Sequence, residues 1–211
     1  MASLMDSSPS SQTSPFHPIA RLKALFRQGW IGLVSQADVE SIADHSFGVS
    51  YLAFIMAVWE NTLRKEKGKP QLSDSPAVLS TIGAFHDVAE SQFMDFDKNL
   101  SLLLPEQSKD FKNLAEKKGF DNIASFWTNI NGNIGSELQK ISFLNQKEET
   151  KNFIIFVDNL ELYFQTKHYV EHKKISEIEG NNFLVSTMEK IKKFSSEFLC
   201  IEELRKICWL E

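Results

Sequence analysis

Residues 150–171 read TKNFIIFVDNLELYFQTKHYVE, and this stretch decides the fold. Residues 153–157 are apolar without a break, and Leu160 and Leu162 continue the pattern beyond Asp158. The segment reads as a strong helix that is apolar over most of its circumference, as in the middle of a helical core. Upstream, residues 44–64 give a second long helix with Val49, Leu52, Ala53 and Met56 on one face. The polar stretch 65–76 is a loop. Asp74 or Ser75 can cap the next helix, with Pro76 at its first position. That helix carries Val78, Leu79, Ile82 and Phe85 and is predicted to run to about Phe93.

Further out the signals weaken. Ile19, Leu22, Leu25 and Phe26 mark a short amphipathic helix that stops near Gly29. Residues 94–105 are irregular, and Pro105 can start a helix that runs to about Lys118. Residues 119–135 are rich in Asn and Gly around Phe126 and Trp127 and match no period. Residues 182–211 give one or two closing helices. No strand alternation and no internal repeat is visible. The chain is therefore expected to be all-α, one domain of seven to nine helices over residues 19–211. A flexible Ser- and Pro-rich tail, residues 1–18, precedes it.

Composition narrows the class. The chain has 211 residues, of which 42% are hydrophobic and 24% charged, with 17 Phe and 4 Trp, enough for a core. The net charge of −5 argues against a binder of nucleic-acid duplexes, which needs a basic surface. A small phosphorylated ligand remains compatible, since a metal or a local Arg can reverse the field at one site. Cys200 and Cys208 lie eight residues apart on an expected helix, too far to pair, and read as reduced thiols. The longest apolar run, residues 49–59, is shorter than the roughly 20 residues that span a bilayer. No basic segment followed by an apolar core opens the chain, so a cytoplasmic protein with no membrane partner is expected.

Function is sought where polar residues interrupt the apolar faces. His45 shares the face of Val49, Leu52 and Met56; His86 shares that of Val78, Leu79 and Ile82, with Asp87 beside it and Glu90 one turn on. Asp158 sits inside the apolar run of 150–171. A buried carboxylate without a cation, a donor set or a metal is costly. Singly, each residue has an ordinary structural reading: a hydrogen-bonded core histidine, a cap, half an ion pair. Three helices that each turn a ligand-type side chain inward make a divalent metal site the competing reading, since mixed His and Asp ligation suits such ions.

The spacing of His45, His86-Asp87 and Asp158 resembles the H…HD…D signature of the HD-domain metal-dependent phosphohydrolases. The flanks are similar to the HD-domain 5′-deoxynucleotidases. They are Leu22-Lys23, then Arg27-Gln28-Gly29-Trp30, then Glu40-Ser41-Ile42-Ala43-Asp44-His45-Ser46, then His86-Asp87-Val88-Ala89-Glu90, with Asp95 nine residues after His86. Asp158-Asn159-Leu160-Glu161, Gln165 and Tyr169 complete the likeness. It covers about residues 19–175. It departs at Met94, where the family has Gly, at Asn159, where it has Lys, and over residues 105–148.

The resemblance implies a helical HD-domain bundle holding one divalent ion (Mn, Co, Fe, Ni, Cu, Zn or Mg) on His45, His86, Asp87 and Asp158. It implies Glu90 as the group that orients or deprotonates a water, and Asp95 as a contact to the sugar or leaving group. Arg27 is implied as the phosphate ligand and Trp30 as the wall against the sugar. The implied substrate is a deoxynucleoside 5′-monophosphate, a small nucleotide, and the implied assembly a homodimer. Nine residues rotate Asp95 by about half a turn from His86, so it must reach the site from a loop after the helix breaks.

Overall fold

The computed structural model describes residues 17–93, 95 and 103–208; the first sixteen residues of the expected tail and Met94 lie outside them. Eight α-helices occur among the described residues: α1 His17–Ala24, α2 Ile42–Glu66, α3 Pro76–Phe85, α4 Pro105–Ile130, α5 Gly132–Ile141, α6 Glu148–Glu171, α7 Glu177–Lys192 and α8 Cys200–Cys208. Three short 3-10 turns join them, at Gln28–Trp30, Val88–Gln92 and Phe143–Asn145, and no strand is present in this range. The expected all-α class and helix count hold.

Two long helices organise the rest. α2 starts where Ser41 and Asp44 exchange hydrogen bonds, each side chain accepting the other's backbone N–H. α3 starts as expected from Ser75, which accepts from Val78 N–H, with Pro76 at its first position. α2 packs along α3 and across α6, and α7 lies along α6. Val49, Ala53 and Met56 of α2, Leu79 and Ile82 of α3, and Phe153, Phe156 and Val157 of α6 fill the main core. The Phe153 and Phe198 rings meet edge-on at 5.2 Å. A charged clamp closes the far end: buried Glu60 accepts from Arg64 Nε at 2.7 Å and from the Cys200 backbone N–H at 2.8 Å. Both of its oxygens thus have donors, which makes its burial tolerable. Cys200 is a buried free thiol, and the Cys208 side chain is outside the description.

The structure corrects several expected boundaries. α1 begins at His17, two residues inside the expected tail. α3 stops at Phe85, eight residues early. His86 Nδ1 donates to Gly83 O at 2.7 Å and so claims a carbonyl that the next helical turn would use. Beyond the expected stop at Lys118, α4 continues to Ile130. Gly119, the first residue beyond that expected stop, marks a close approach. A Cβ there would lie 2.9 Å from Ala89 O, so α4 packs tightly on the 3-10 turn at Val88–Gln92. The unassigned segment 119–135 is the tight join of α4 to α5, where Asn131 caps α5 and Gly135 leaves room for Thr128.

α2 is long enough, and over an 18-residue stretch apolar enough, to cross a membrane; 39% of that stretch is buried inside the protein. The shorter run 49–59 understated this. In the described structure the helix carries His45 and the Glu60–Arg64 pair and is the centre of the core.

Candidate metal centre

His45 enters the site from the first turn of α2, His86 and Asp87 from the break after α3, and Asp158 from the middle of α6. Three separate segments thus converge. His45 Nε2 lies 3.1 Å from Asp158 Oδ1 and 3.6 Å from Asp87 Oδ2, and His86 Nε2 lies 3.2 Å from Asp87 Oδ2. The two imidazoles are 5.4 Å apart between centroids. Ligand atoms of His45, His86 and Asp158 all fall within 4.8 Å of one another.

The hydrogen bonds around this cluster settle how the imidazoles are aimed. His45 Nδ1 pairs with Glu161 Oε2 at 2.7 Å and His86 Nδ1 with Gly83 O at 2.7 Å. Each Nδ1 therefore carries its proton toward an acceptor, and each Nε2 points into the cluster. Both Nε2 atoms are buried and make no hydrogen bond of acceptable geometry. Such atoms are expensive inside a protein unless a ligand satisfies them. Two unsatisfied imidazole nitrogens facing two carboxylates fit a divalent first-row ion, and Glu161 stands where metal-binding histidines usually have an orienting carboxylate. Glu40 lies against His45 and Glu161 in a second buried acidic group.

Electrostatics without an ion show the strain of this arrangement. Burial and Arg27 lower the His45 pKa, but the carboxylates of Asp158 and Glu161 beside its ring outweigh them and push it up to about 10. Burial works to raise Asp158, yet the adjacent His45 imidazole brings it down to about 2. Asp87 is also held well below the carboxylate range, against burial, by His86, Arg27 and His45. Glu40 is raised to about 7 by burial and by Glu161.

A cavity of about 320 Å³ opens beside Asp87 and Asp158, with Arg27, Trp30, Asp95 and Lys112 among its walls. A second, of about 250 Å³, adjoins it and shares Asp87, Lys112 and Asp158. Arg27 is placed by its backbone N–H, which donates to Glu40 O at 3.1 Å, and its Nη1 reaches Asp87 Oδ2 at 3.3 Å. Asp95 reaches the cavity from beyond the helix break, as the spacing required, and accepts from Gln28 N–H at 2.7 Å. Trp30 is almost wholly buried. Its indole donates to Glu40 Oε1 at 2.9 Å, Tyr169 meets it edge-on at 5.0 Å, and Phe183 lies against it at 5.1 Å. It is a fixed wall of the cavity and a core residue at once.

Glu90 differs from its expected setting. It does not continue the α3 face, because the helix has ended; it sits in the 3-10 turn, its N–H bonded to Asp87 O at 2.9 Å. The side chain is 1% exposed, and Oε2 has no hydrogen-bond partner. Burial first, then Asp87 and Asp95, pushes its pKa up to about 10.

Sequence reasoning missed Lys112. It projects from α4 into both cavities and pairs with Glu116 at 3.4 Å, and its ammonium faces Asp87, Glu90 and Asp95 as well. Nothing in a polar helix dense with lysines singles it out. Tyr169 carried a weak signal as part of a motif. Its hydroxyl accepts from Glu40 N–H and donates to Asp38 O, both at 3.0 Å, fixing the loop that holds Trp30 and Glu40.

Fold and site together define an all-α protein with a buried cluster of histidine and aspartate that could hold a divalent metal. The chain belongs to the HD-domain family, whose model matches residues 19–198. No curated protein matches it. Among solved structures it is similar in fold to an HD-domain phosphohydrolase from Listeria innocua, with a TM-score of 0.65 and 14% identity over 92% of this chain and 85% of that one. It also resembles a conserved hypothetical protein from Pyrococcus furiosus (TM-score 0.58, 19% identity, 92% and 98% covered). A protein from Pyrococcus horikoshii OT3 gives 0.56, 21%, 84% and 87%.

Proposed function

We propose that this protein is a metal-dependent phosphohydrolase, and specifically a phosphomonoesterase that removes the 5′-phosphate of deoxynucleoside monophosphates. The observation that carries the reading is the pair of buried, unsatisfied Nε2 atoms of His45 and His86, which face Asp87 and Asp158 at the edge of a cavity. A divalent ion held by these four residues would acidify a bound water and neutralise charge building on phosphorus. Arg27 and Lys112, both in the wall of the same cavity, supply the cationic donors for the phosphate oxygens. Glu90, beside Asp87, would exchange a proton with a water held there; burial and the neighbouring carboxylates favour its neutral form, and added positive charge would favour the carboxylate. Asp95 and Trp30 flank the part of the cavity that would hold the sugar.

Deoxy specificity rests on the resemblance of the residues around Arg27, Trp30, His45, Glu90 and Asp95 to the 5′-deoxynucleotidases and on the rigid Trp30 wall. A 2′-hydroxyl that enters without a partner costs roughly 1–3 kcal/mol, a factor of about ten to a hundred. The test is release of phosphate from a panel of nucleoside monophosphates with Mn²⁺ or Co²⁺. Hydrolysis of dAMP well above AMP is expected. Equal rates would leave a phosphohydrolase of another small phosphate ester, and no release from any ester would leave a metal-binding module without turnover.

A further inference from the structure

The cavity beside Asp87 and Asp158 has a wall that neither the candidate metal ligands nor the phosphate-facing cations account for. α7 contributes Phe183, Ser186, Thr187 and Lys190 to it. The last three stand three, four and seven residues after the first, so all four side chains share one face of the helix. α7 lies along α6 and turns this face to the cavity. Phe183 lies against Trp30, with ring centroids 5.1 Å apart and planes at 35°. The aromatic wall that begins at Trp30 therefore continues onto α7. Thr187 is buried in this wall, whereas Ser186 and Lys190 are open to solvent. Lys190 forms no ion pair among the described residues, although the cavity it lines is rich in carboxylates.

We infer that this face of α7 is the subsite for the nucleobase, and that Lys190 makes it prefer the keto bases guanine and thymine over adenine and cytosine. The inference rests on the nucleotide reading above. A nucleotide runs phosphate, sugar, base; with phosphate at Arg27 and Lys112 and sugar at Trp30, the base falls next, on Phe183. The Phe183 ring offers a stacking surface that every base can use, so it binds without selecting. Ser186 does not select either, because a hydroxyl both donates and accepts. Lys190 supplies the discrimination, since an ammonium has three donors and no acceptor. Guanine presents O6 and N7, and thymine O4, as acceptors, where adenine and cytosine carry an amino donor. Lys190 is open to solvent, which puts its effect at the low end for a base-reading contact, about five- to tenfold.

Calorimetric titration of dGMP, dTMP, dAMP and dCMP into the Mn²⁺-loaded Glu90→Gln protein, in which turnover is suppressed, tests it alongside phosphate release by the wild type. The two keto nucleotides should bind about five- to tenfold more tightly than the two amino ones. Lys190→Met, introduced into the same protein, should erase the difference and Lys190→Arg should keep it. Lys190→Glu should reverse it, because a carboxylate accepts from an amino group. Equal affinity for all four nucleotides overturns the inference and leaves the phosphohydrolase reading standing. So does a keto preference that Lys190→Met and Lys190→Glu both leave intact. A keto preference that depends on Lys190, with no phosphate released from any of the four by the wild type, upholds the base subsite and defeats the phosphohydrolase reading. Absence of binding by all four overturns both.

Discussion

His45 and Asp158 stand on long helices whose interior faces are saturated with apolar side chains; Glu90 and Lys112 stand where a 3-10 turn packs on α4. The first pair is fixed by packing. A shift of His45 or Asp158 would drag Val49 or Val157 out of a fully buried core. The second pair is fixed by charge: Lys112 answers a surplus of carboxylates, and Glu90 is buried beside Asp87 and Asp95 with an oxygen unsatisfied. The first region carries the candidate ligands on a packed frame; the second carries groups whose protonation follows the charges around them.

Breaking the second region should show that contrast most strongly. Glu90→Gln is expected to leave metal content unchanged while lowering turnover by about 10²–10⁴-fold, the usual contribution of a positioned acid–base group. The same change should stabilise the metal-free protein. The folded pKa of Glu90, about 10, lies far above the unfolded value, so its neutral form favours folding fully only below about pH 4.5. That contribution falls as pH rises from there through 10. Thermal melts of metal-free wild type and Glu90→Gln should therefore coincide near pH 4 and separate progressively at pH 6 and 8, with the variant higher. Coincident melts at pH 8 would mean that Glu90 is solvated.

The first region is sharpened by Glu161→Gln. Glu161 touches His45 Nδ1 and closes over Gly48, where a Cβ would lie 2.9 Å from the Glu161 side chain. Loss of its charge should weaken metal affinity by about 10–100-fold without unfolding α6, as measured by competition with a chelator. Unchanged affinity would make the bond to His45 a packing detail. The smallest effect is expected at Lys112. Lys112→Met should raise KM, and weaken competitive inhibition by inorganic phosphate, by roughly tenfold, with Lys112→Arg recovering most of the loss. A fall in kcat at constant KM would place Lys112 at the leaving group instead.

The same contrast explains what was legible in the sequence. α2 and α6 declare themselves because apolar periodicity over more than twenty residues has no other solution, and polar residues inside such periods are conspicuous. His45, His86 and Asp158 stood out in that way, Asp87 as the neighbour of His86, and Asp95 through the family resemblance, its mismatch with the helical face placing it on a loop. The stop at Phe85 was hidden because it depends on a side chain, His86, taking the Gly83 carbonyl. α4 was cut short because residues 119–135 match no period, and the contact that holds Gly119, Ala89, lies thirty residues away. Lys112 was invisible for a similar reason: its carboxylate neighbours come from other segments, and only Glu116 is near it in sequence.

The central claim is that the two unsatisfied Nε2 atoms belong to a metal site made with Asp87 and Asp158. Its most direct test is elemental analysis after dialysis against Mn²⁺ or Co²⁺, comparing wild type with His86→Ala and Asp158→Asn. One ion per chain in the wild type, and loss of most of it in both folded variants, is the predicted result. Equal metal content in all three, or none in any, would contradict it.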